Sequence, residues 1–125
     1  MSKPWLKFYD EAVSDELSVP SLTIPDLLKN ATANHAKQTA CVFAGARMNY
    51  EQINDHVDKL ASALHGLGVG KGDRVAIMMP NCPQAIIAYY ATLSLGAVTV
   101  MTNPLYVERE LEHQWHNRWL RLNRP

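Results

Sequence analysis

The chain carries no net charge, no cysteine motif, no apolar run long enough to cross a bilayer and no internal repeat. Its 12 basic residues are balanced by 12 acidic ones, so nothing draws it to nucleic acid or to an anionic membrane surface. Residues 85–100 form the most apolar stretch, but Thr92, Ser94, Gly96 and Thr99 interrupt it. A bilayer-spanning helix needs about 20 apolar residues, so no transmembrane segment is expected. The opening residues 1–16 have neither the apolar centre nor the small-residue cleavage site of a signal peptide. Cys41 and Cys82 lie far apart and match no metal or redox spacing. These absences predict a reduced, cytoplasmic protein. Hydrophobic residues make up 47% and charged residues 19%, which suits a folded chain rather than a disordered one. At 125 residues it has room for one domain with a modest core.

What is present is organised around Val69 to Tyr106. Val75–Met79 and Ala97–Met101 are continuous apolar runs, and between them lies a helix that Pro83 helps to start and Gly96 ends, with Asn81 placed to cap it. Two apolar strands joined by one helix predict a parallel βαβ unit with both faces covered. Ala85 to Leu95 is apolar around nearly the whole helix, and such a helix is normally buried. Little of the remaining chain is left to bury it.

Upstream, residues 1–22 show no period and read as an extended arm with Trp5, Phe8 and Tyr9 as anchors. Thr23 and Asp26 form a capping pair for a helix over 24–34, with Pro25 in its first turn. Thr39–Phe43 reads as a strand, residues 44–47 as a turn and Met48 as a short return strand. Asn49 and Gln52 form a second capping box. Ile53, Val57, Leu60, Ala61, Leu64 and Leu67 then follow the helical period up to Gly68, which is suited to a left-handed cap. Glu108 to Gln114 begins a further helix. The fold class expected is therefore α/β: an N-terminal helix and β-hairpin, a long amphipathic helix, then the parallel βαβ unit.

Candidate chemistry is thin. The run Gly66-Leu67-Gly68-Val69-Gly70-Lys71-Gly72-Asp73 invites a phosphate-loop reading, but a Walker A loop with its lysine at 71 needs glycine at 65, where His65 stands. Glycine rather than Ser or Thr follows Lys71, and a strand follows where a helix belongs. A dinucleotide fingerprint fails too, because its glycines must follow a strand. The turn reads as a helix cap and strand entry. His113 and His116, with Glu110 and Glu112, could place two metal ligands on one helical face, but zinc takes three or four protein ligands. His35, His56 and His65 sit among polar residues and read as solvated. A catalytic thiol at Cys41 or Cys82 would need a tertiary partner, Tyr89-Tyr90 reads as aromatic packing, and no Gly-x-Ser-x-Gly elbow occurs. The expectation is that the chain has no catalytic, cofactor-binding or metal-binding residues.

The order of motifs says more than any one of them. The strand Ala40-Cys41-Val42-Phe43, then Asn49-Tyr50-Glu51-Gln52-Ile53, Gly68-Val69-x-Lys71-Gly72-Asp73-Arg74-Val75-Ala76, Pro80-Asn81-Cys82-Pro83, Gly96-Ala97-Val98 and Asn103-Pro104-Leu105-Tyr106 occur in one consistent series. This closely resembles the N-terminal segment of the adenylate-forming acyl-CoA synthetases, in particular the bacterial long-chain fatty acid–CoA ligases. Met48-Asn49-Tyr50 stands where the family usually shows a Thr-Tyr pair, and Asn caps a helix as well as Thr does.

The resemblance implies that residues 1–114 are part of the large N-terminal domain of such an enzyme. The full-length family joins a fatty acid to CoA with ATP and magnesium, through an acyl-adenylate, giving acyl-CoA, AMP and pyrophosphate. It also implies a cytoplasmic enzyme open to peripheral membrane association. The family's phosphate loop, adenine- and metal-binding motifs and C-terminal lid have no matching positions here. The chain is therefore expected to be a truncated fragment, inactive alone and binding none of these cofactors itself.

Residues 115–125 depart from the family pattern. Gln114 to Trp119, read one base over, can encode Ser-Gly-Thr-Thr-Gly-Gly, the core of the family's phosphate loop, which suggests a frameshifted junction. The alternative reading is a small non-catalytic α/β module that folds alone or pairs through exposed apolar surface, including with itself. The apolar helix over 83–95 favours the fragment, because a free-standing module would present a polar outer face.

Overall fold

The computed structural model describes residues 3–14, 16 and 19–116, with the backbone alone for Trp115 and His116. Helix α1, Ile24–His35, starts at a complete capping box. The backbone N–H of Thr23 donates to Asp26 Oδ2 at 2.9 Å, and that of Asp26 donates to Thr23 Oγ1 at 3.4 Å. Helix α2, Tyr50–Gly66, starts the same way, with Asn49 and Gln52 bonded reciprocally at 2.8 and 2.9 Å. Its end is a Schellman motif: the Val69 N–H reaches the Leu64 carbonyl and the Gly68 N–H reaches that of His65. Gly68 has φ +89°, which is why glycine stands there.

Between these helices, strands β1 (Thr39–Phe43) and β2 (Ala46–Asn49) form an antiparallel hairpin with an irregularity between Thr39 and Cys41. Its two-residue connection, Ala44 and Gly45, has φ +48° and +83°, the pattern of a type I′ turn that matches strand twist. Strands β3 (Arg74–Ile77) and β4 (Val98–Met101) pair in parallel, with Arg74 opposite Val98 and Ile77 opposite Met101. Helix α3, Pro83–Ser94, makes the crossover. The βαβ unit predicted from two apolar runs is present. Helix α4, Glu108–His116, leaves β4 through a turn in which Asn103 Oδ1 accepts from the Leu105 N–H.

Helix α3 packs on α1, α2, β3 and β4. Ala91 joins Leu28, Ile53 and Val57 in the central core, and Pro83, Ala88 and Thr92 are buried as well. The flank through Ile86 stays open, with Ile86 40% exposed. Full burial of this helix, the ordinary state for an apolar circumference, is not reached among the described residues, as the shortage of covering chain suggested.

Four local readings need correction. Asn81 does not cap α3. Proline at 83 drives the residue before it into extended backbone, so Cys82, at φ −144° and ψ 163°, takes the cap position without a side-chain bond. The strand in the run Val75–Met79 is shifted to Arg74–Ile77, because its parallel partner ends at Met101. The N-terminal arm contains a short 3-10 helix, Leu6–Phe8, and its Trp5 and Phe8 remain exposed. The turn expected over 44–47 is confined to Ala44 and Gly45, with Ala46 and Arg47 in β2, while helix α4 continues from its expected start to His116. Beyond that, the tail expected over 115–125 lies outside the described residues.

Three predictions follow from these contacts. Ala44 holds a left-handed conformation that costs an L-residue about 1–2 kcal/mol. Ala44→Asn, which tolerates that conformation, should raise the unfolding free energy by about 1 kcal/mol in urea titration. Thr92 is fully buried and its hydroxyl has no partner among the described residues. Thr92→Val keeps the branched shape, removes the orphan and should raise stability by about 1 kcal/mol. The Thr23 hydroxyl, and then its backbone N–H, hold the Asp26 carboxyl below its usual value. Because the folded value is the lower one, this stabilisation is present above the ordinary carboxylate range and is lost as pH falls through the folded value. Urea midpoints of wild type and Asp26→Asn, measured as pH falls, should therefore converge in acid.

Candidate functional site

The glycine turn after α2 uses its backbone donors within the chain. The Gly70 N–H donates to Asp73 Oδ2 at 2.8 Å, the Gly72 N–H to the Gly96 carbonyl at 3.0 Å and the Asp73 N–H to the Gly70 carbonyl at 3.1 Å. The Asp73 carbonyl in turn accepts from the Val98 N–H at 2.7 Å. Lys71 lies over Gly96, where an added Cβ would come within 3.3 Å of the lysine Cγ. The turn therefore clamps the end of α3 to the start of β3 and β4. It lies at the amino ends of the parallel strands, opposite to where open α/β sheets bind their ligands.

The other candidates separate in a similar way. His35, His56 and His65 are exposed, as their polar surroundings predicted. His113 lies on α4, while the His116 side chain lies outside the described residues. Among the described residues no three His, Cys, Asp or Glu side chains gather to hold a metal ion. In the glycine turn the amides of Gly70, Gly72 and Asp73 are taken up by partners within the chain.

The structure brings together residues the sequence kept apart. A groove of about 450 Å³ runs between β1 and the first turns of α3, with Met101 at its end. Cys41 and Cys82, both free thiols and both half-buried, line it. So do Tyr89 and Tyr90, whose rings meet edge-on with centroids 5.6 Å apart. Asn81, Cys82 and Pro83 follow β3, and Met101 closes β4, so the groove lies toward the carboxyl ends of the parallel pair. Its polar groups are an amide, two thiols and two phenols, and it holds no charged side chain. It can bury apolar surface. It has no carboxylate or imidazole to transfer a proton and no cation to stabilise developing charge. The period of each element indicated the apolar faces, but only the packing of α3 could show that two of them share a groove.

Known proteins share this chain's sequence pattern and fold. The sequence pattern of the AMP-binding enzyme family matches residues 28–118. A long-chain-fatty-acid–CoA ligase of Bacillus subtilis is 44% identical over 112 residues, which cover 90% of this chain and 20% of the relative. The corresponding ligase of Yersinia pestis is 40% identical over 116 residues, 91% of this chain and 21% of the relative. Among solved structures, the Klebsiella oxytoca NpsA N-terminal subdomain superposes with a TM-score of 0.75 at 26% identity, covering 78% of this chain and 26% of that one. A Mycobacterium tuberculosis fatty acyl CoA synthetase gives 0.70 at 32% identity, over 74% of this chain and 19% of that one. The chain thus spans about a fifth of the curated relatives it matches. With residues 28–118 inside the family pattern, and the strand and helix order of an adenylation-enzyme N-terminal subdomain around them, the chain belongs to the AMP-binding enzyme family.

Proposed function

We propose that this chain supplies part of the large N-terminal domain of a long-chain fatty acid–CoA ligase, with its residues up to the end of the matched family pattern at 118 as scaffold. The observation that carries the reading is 44% identity to the Bacillus subtilis ligase over 112 residues. In the complete enzyme a fatty carboxylate oxygen attacks the α-phosphate of ATP and pyrophosphate leaves. The CoA thiol then attacks the acyl carbon of the acyl-adenylate and AMP leaves. The residues of this chain hold strands β3 and β4 in parallel register and cover them with α3. That is a positioning role for loops contributed by the rest of such a domain.

On this reading the 125 residues alone do not activate a carboxylate. The exposed flank of α3 and the strand edges are surfaces for burial against further polypeptide. No helix of the described residues is long and apolar enough to cross a membrane.

Two measurements test the proposal. The purified 125-residue chain, given palmitate, ATP and magnesium, should show no ATP–pyrophosphate exchange above background. A chimera of the Bacillus subtilis ligase, in which the matched segment of this chain replaces its own, should retain exchange of the same order as the parent. Robust exchange by the short chain would refute the scaffold role, and a folded but inactive chimera would refute the ligase assignment.

A further inference from the structure

We draw no further inference here: the strongest candidate, the uncharged groove between β1 and the first turns of α3 that Cys41, Cys82 and the Tyr89-Tyr90 pair line, is an apolar face for which nothing in the structure shows what covers it.

Discussion

At the centre of the molecule, the residues that α3 buries are small. Ala91 enters the core beside Leu28, Ile53 and Val57, and Ala88 and Thr92 are buried on neighbouring turns. Small side chains let a helix lie close to its neighbours, and this one touches α1, α2 and both parallel strands. Remove that close approach and the parallel pair loses its contact with α1 and α2. The hairpin and the parallel pair are separate two-stranded sheets that share no ladder, and isolated two-stranded sheets are marginal in water. Helix α3 ties the parallel pair to α1 and α2, and α2 carries the hairpin.

The ends of α3 are fastened by different means. At its start, Pro83 presets the helical turn and pushes Cys82 into extended backbone, so the chain leaves β3 at a defined angle without a side-chain cap. At its end Gly96 adopts φ +69°, and its carbonyl takes the Gly72 N–H from the turn before β3. That bond ties the turn before β3 to the entry of β4, at the amino ends of the parallel pair. The glycine-rich run thereby has a structural use for features that look like a phosphate loop in one dimension.

The same arrangement explains why chemistry is sparse and apolar surface abundant. One flank of α3 is used for packing, and its other flank, with the free edge of β1, forms an uncharged groove. The matched ligases are about five times as long as this chain.

Both capping boxes, the hairpin, the amphipathic period of α2 and the parallel βαβ unit were legible in the sequence. The boxes, the hairpin and the helical period depend on residues close in the chain, and the βαβ unit on two apolar runs with one helix between them. Asn81 has a local preference for the cap, but the backbone restriction that Pro83 imposes on Cys82 is stronger and puts Cys82 there. Only the tertiary structure could decide which flank of an all-apolar helix is covered, and that Cys41, Cys82 and the Tyr89-Tyr90 pair border one groove. Period identifies an apolar face, but which faces meet depends on where α1, α2 and the strands have already taken up space around α3.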